Sequence, residues 1–133
     1  MIIKGWIELS SHWDIAQSDI YILDKKPKSG DVFTVSSKKR LDFLLREFRN
    51  KFVSFRYAVK NVEFEDITKE LLTQLYGVSE EEDVEFEISD VTTSQYYNNI
   101  IGGHNISDAL KRHNRRYIII EIEEVEKPYW LEK

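Results

Sequence analysis

Arg115-Arg116-Tyr117-Ile118-Ile119-Ile120-Glu121-Ile122-Glu123-Glu124-Val125 is the stretch around which the chain has to be arranged. β-branched residues dominate it, and it is too short for a membrane span or a long helix, so it reads as a strand. Alternation puts Ile118, Ile120 and Ile122 on one side. Tyr117, Ile119, Glu121, Glu123 and Val125 fall on the other. The first side is wholly apolar, whereas the second is apolar at its start and ionic later. A covering element, expected to be a helix, should therefore lie over the first half of the second face and leave the rest wet.

Working back along the chain, Gly102-Gly103-His104-Asn105 reads as a sharp turn into a helix with Ile106, Ala109 and Leu110 facing in, capped by Asn105 or Ser107 and ended at Asn114. Thr92 to Ile101 has little pattern and is expected to be an exposed loop. Val84, Phe86 and Ile88 alternate with Glu85, Glu87 and Ser89 as a strand with an acidic outer face, preceded by a solvated acidic turn at Glu80-Glu81-Glu82-Asp83. Asp66 is placed to cap a helix through Tyr76, with Gly77 as its left-handed stop. Val53, Phe55, Tyr57 and Val59 alternate as a half-buried strand. Ahead of them, Leu41, Leu44, Leu45, Phe48 and Phe52 make the apolar stripe of a helix. Further strands are expected at Ile2 to Leu9, with a bulge or close approach at Gly5, at Ile20 to Leu23 and at Val32 to Val35. Tyr129-Trp130-Leu131 should dock the tail on the body. The expectation is a single α+β domain over residues 1–133: a twisted, mixed or mainly antiparallel sheet of about six strands with three helices largely on one face.

At 133 residues, the chain can bury a core without staples. It holds no cysteine, which excludes a disulfide scaffold, a thiolate zinc site and a cysteine nucleophile. No run has the length of a membrane span and no secretory signal opens the chain, so a soluble cytoplasmic protein is expected. The net charge of −5 is unevenly spread. Residues 38–62 carry eight Lys/Arg against two acids, and residues 63–90 carry one Lys against eleven acids. Segregation of this kind bears on partners and encounter rates rather than on fold.

Three histidines, His12, His104 and His113, are the candidates for acid–base chemistry. His104 with His12, both in expected loops, could serve a small hydrolase or nuclease. No metal-ligand spacing accompanies them, so neither a metal nor a cofactor is expected. The Gly102-Gly103 turn could present backbone N–H groups to an anion, but positive φ ahead of an Asn cap already accounts for it. The basic segment from Lys38 to Lys60 invites a nucleic-acid reading. Its aromatics Phe48, Phe52, Phe55 and Tyr57 fall on inner faces, which makes them core instead of stacking platforms and disfavours nucleic acid as a partner.

The largest block of one sign lies among Glu80, Glu81, Glu82, Asp83, Glu85 and Glu87. A solvated surface is the plain reading; the sharper one is recognition of a basic protein, with Tyr96 and Tyr97 as aromatic anchors. The opening Ile3-Lys4-Gly5-Trp6-Ile7-Glu8, on a small, cysteine-free, acidic α+β chain, resembles bacterial toxin-immunity proteins. That resemblance implies a non-enzymatic inhibitor that covers a basic toxin, for example a nuclease, and it assigns no site residues. A scaffold that oligomerises through Trp130 or an unpaired edge strand is the third possibility.

Overall fold

The computed structural model describes residues 1–10, 15–26, 36–67, 73–127 and 130. Among them, seven strands make one sheet: β1 (Ile2–Leu9), β2 (Ile20–Leu23), β3 (Phe52–Lys60), β4 (Thr73–Ser89), β5 (Thr92–Ile101), β6 (His104–Asn105) and β7 (Tyr117–Glu124). Their spatial order is β2-β1-β7-β3-β4-β5-β6. Every neighbouring pair is antiparallel. Two short helices accompany the described strands, α1 (Leu41–Leu44) and α2 (Ile106–Lys111), with single 3-10 turns at Ile15–Gln17, Ser37–Lys39 and Arg46–Phe48.

β7 is hydrogen-bonded on both edges, with Ile118 opposite Gly5 of β1 and Val59 of β3, and Ile120 opposite Ile3 and Tyr57. Its start is set by Arg115, which takes a left-handed φ of 67° and donates its N–H to Ile7 O at 2.8 Å. Ile118, Ile120 and Ile122 are buried in the main core with Ile7, Leu9, Val53 and Phe55; α1 adds Leu41, and α2 adds Ile106 and Leu110. The wholly apolar side of the strand thus faces the helices. On the other side, Tyr117 and Ile119 form a second cluster with Trp6, covered by Phe64 and Ile67. Edge-to-face contacts of Tyr117 with Trp6 (5.4 Å) and Phe64 (5.5 Å) fix it. The cover over this half-face is the irregular stretch after β3 and not a helix. Beyond it Glu121 pairs with Arg56, and Glu123 is exposed, so the second half is wet.

The architecture departs from an α+β layer of six strands and three helices. The stripe from Leu41 to Phe48 does face the core, but as a series of single turns: Arg40 is extended, α1 lasts four residues, and Asn50 turns left-handed (φ 66°) to deliver Phe52 into β3. Cations in the first turn oppose a helix dipole, and Arg40 instead chelates Asp42, so nothing prolongs the helix. The helix expected from Asp66 to Tyr76 fails differently. From Thr73 the chain is strand, because Leu75 and Tyr76 pair with Phe55 and Ser54 of β3, and that tertiary pairing overrides a spacing that also suits a helix. Residues 68–72 lie outside the described residues, as does the strand expected at Val32 to Val35. The segment expected to be a loop, Thr92 to Ile101, is β5. Only the third helix starts where its cap placed it, with Asn105 Oδ1 accepting from Asp108 N at 3.1 Å; it ends at Lys111 and not at Asn114, and the left-handed residue is Arg115.

Gly77 is not a helix stop; it lies inside β4 where that strand changes partner. Up to Val78 β4 pairs with β3, and from Ser79 it pairs with β5. The β5–β6 turn, with Gly102 and Gly103 at φ 58° and 81°, presses on this point. A Cβ on Gly77 would lie 2.1 Å from Gly102 Cα, and one on Gly102 would lie 2.4 Å from Tyr76 O. Two backbones meet where neither can carry a side chain. Gly5 is a second close approach, its added Cβ falling 2.6 Å from Leu23 O, but the β1–β7 ladder runs through it without a bulge.

Candidate docking ribbon

Past the crossover, residues 80–89 of β4 pair with residues 92–100 of β5 and with no other strand among the described residues. The result is a two-stranded ribbon ending at Asp90-Val91, with Val91 90% exposed. Residues opposite each other in an antiparallel pair share a face. One face holds Glu81, Asp83, Glu85 and Glu87 with Asn99, Tyr97, Gln95 and Thr93 opposite them. The other holds Glu80, Glu82, Val84, Phe86 and Ile88, with Asn98 and Tyr96 opposite Glu82 and Val84.

The acidic side chains at Glu80, Glu82, Asp83, Glu85 and Glu87 are exposed, and Glu81 is half-buried beside Arg49. Asp83 accepts a hydrogen bond from Gln95 Nε2 across the ribbon. Tyr96 and Tyr97 are both half-buried and cannot act together, since adjacent strand residues face opposite ways. Tyr96 packs its ring 5.9 Å from Phe86 and lies under Lys111 Nζ at 5.1 Å, whereas Tyr97 lies under the Arg40 guanidinium at 4.6 Å. On the second face, Val84 and Phe86 are half-buried and Ile88 is 66% exposed, so the apolar positions of this strand have no layer beneath their outer end.

A set of charged groups that sequence spacing does not bring together anchors the root of the ribbon. Asp19 Oδ1 accepts from Tyr97 N at 2.9 Å, and the Asp19 N–H in turn donates to Ser10 Oγ at 2.9 Å. Arg40 holds Asp42 through two hydrogen bonds, at 2.6 and 3.0 Å. Lys111, 6% exposed, donates from Nζ to Ala16 O at 2.9 Å. Burial raises the Asp19 carboxyl above its usual 3.8, partly countered by the Tyr97 N–H and by the charges of Arg40 and Lys111. Glu81 is likewise pushed up by burial against the pull of Arg49. Asp19, the Arg40/Asp42 pair and Lys111 sit in three different segments of the chain, and no local motif marks them.

Of the histidines, His104 is exposed in β6 and His12 lies outside the described residues. The His113 ring is half-buried, and burial followed by Arg116 and Arg112 lowers its pKa from 6.5, which favours the neutral imidazole. No group of three or more His, Asp or Glu among the described residues could hold a metal ion. No described helix is long and apolar enough to cross a membrane. The Trp130 ring stands edge-on to Tyr76 at 5.7 Å and is 53% exposed. Comparison with protein-family models, with curated proteins and with solved structures returns no match to this chain.

Proposed function

We propose that this chain is a non-enzymatic protein-binding module that docks a basic protein through the acidic β4–β5 ribbon, in the manner of an inhibitor covering a toxin. The observation that carries this reading is how the charges are partitioned. Among the described residues, the cations of the basic segment pair away from the ribbon: Lys39 with Asp24, Arg40 with Asp42, Lys51 with Glu124 and Arg56 with Glu121. Among the described residues, Arg49 is the one cation of this segment that ion-pairs with a ribbon acid, at Glu81, while Arg40 lies on the Tyr97 ring at the ribbon root. Glu80, Glu82, Glu85 and Glu87 make no ion pair among the described residues and stand in water, where their field steers a cationic partner. Val84, Phe86 and Ile88, on the same face as Glu80 and Glu82, supply apolar surface for contact once the partner arrives.

The reading is tested by affinity capture from cells that produce the chain, comparing it with the variant Glu82→Lys/Glu85→Lys/Glu87→Lys. A basic protein retained by the native chain and lost by the variant is expected, with circular dichroism spectra of the two superimposing. Equal retention of that protein by both would contradict the assignment.

A further inference from the structure

We infer that the partner contributes an extended basic strand that adds to the outer edge of β4, with Lys or Arg opposite Asp83, Glu85 and Glu87; this rests on the docking reading above. The backbone at the ribbon root fixes which groups face outward. Ser79 N donates to Lys51 O at 2.8 Å and Ser79 O accepts from Asn50 N, both on the side away from β5. Val78 O accepts from Gly102 N at 3.1 Å on the opposite side. Successive strand residues point their N–H and C=O groups to alternate edges, so residues 81, 83, 85 and 87 repeat the outward direction of Ser79. Beyond Ser79, no described residue pairs with that edge.

All four of those outward positions carry acids: Glu81, Asp83, Glu85 and Glu87. The edge therefore offers backbone hydrogen bonds and carboxylates at the same residues, which is the pattern a strand with Lys or Arg at every second position would complement. The chain already shows the first step of such an addition. Arg49-Asn50-Lys51 is a basic segment that hydrogen-bonds Ser79, and its Arg49 side chain pairs with Glu81, the first acid of the series. An incoming strand continues what this segment begins, at Asp83, Glu85 and Glu87. A second copy of the chain is the poorer occupant, because its own edge would set carboxylate against carboxylate.

The test uses the full chain and two synthetic probes: an acetylated, amidated octapeptide Lys-Val-Lys-Thr-Lys-Val-Lys-Thr, and the same peptide methylated on every lysine backbone nitrogen. Charge is equal in the two, and only the first can donate those backbone N–H groups. The unmodified peptide is expected to slow amide exchange at Asp83, Glu85 and Glu87 and leave Val84 and Phe86 unchanged, and methylation is expected to weaken binding by about ten-fold or more through loss of several hydrogen bonds. Equal binding of the two peptides without new protection overturns strand addition and leaves the acidic docking reading to its own charge-reversal test. Absence of binding by the unmodified peptide also overturns strand addition. Protection of the same amides by self-association of the protein alone overturns it in favour of a second copy.

Discussion

Asp19 places a carboxylate where burial outweighs the groups that favour its charge, even though a backbone N–H, Arg40 and Lys111 all attend it. A carboxyl whose pKa is raised in the folded state binds more protons folded than unfolded, so the folded state loses stability as pH rises through the window that opens at 3.8 and carries a constant penalty above it. Asp19→Asn keeps an oxygen that can accept from Tyr97 N and removes the titration. Urea midpoints of the two proteins should diverge in favour of the variant as pH climbs above 3.8; divergence in the opposite direction would mean that the charge of Asp19 is what holds β5 in place. Arg40 illustrates the same economy of position. Its guanidinium grips Asp42 in two hydrogen bonds and lies on Tyr97, tying the segment before α1 to the ribbon root.

Among the elements, β4 decides the shape, because one strand of 17 residues serves two ladders in turn. The change of partner takes place where Gly77 and Gly102 touch, and a methyl group at either glycine would have to push backbone aside. Gly77→Ala should therefore destabilise the fold by about 3 kcal/mol or more, read as a loss in chemical denaturation, with the β3–β4 and β4–β5 pairings affected together. A loss under about 0.5 kcal/mol, the scale of an ordinary surface change, would show that the two backbones are not in register as described. This strand also marks where sequence pattern stops being readable. β7, β3 and α2 were legible because each has one face on the core, so apolar residues recur at the period of the element: Ile118, Ile120 and Ile122, or Val53 and Phe55, or Ile106 and Leu110. β5 reads as a loop because its outer residues have no core beneath them, and Thr92, Thr93 and Gln95 are exposed. Residues 41–48 keep a helical stripe without one continuous helix, since the four-residue α1 and the 3-10 turn after it present Leu41, Leu45 and Phe48 to the same core. The acids of the candidate site were legible from composition alone. Their division between two faces, the separation of Tyr96 from Tyr97 and the root built by Asp19, Arg40 and Lys111 depend on a register that no local pattern states.

For the molecule as a whole, the sheet separates two tasks. Its central strands β1, β7 and β3 bury the apolar residues between α1 and α2 on one side and the Phe64 to Ile67 stretch on the other, while β4 and β5 leave that body as a charged ribbon. A site on a ribbon braced at its root can be recharged without disturbing the core, which is why the charge-reversed variant is expected to keep its fold. Under the proposed docking, attraction between this ribbon and a basic partner would be screened over about 8 Å at physiological ionic strength, so its signature would lie in the association rate and not in the dissociation rate. The most direct measurement is that rate for the captured partner, followed from low to physiological salt with the native chain and with Glu82→Lys/Glu85→Lys/Glu87→Lys. The native chain should associate about ten-fold or more faster at low salt than at physiological salt, and the variant should lose both the speed and the salt dependence. A native rate that stays flat across that range, or a variant that associates as fast as the native chain, would contradict the account.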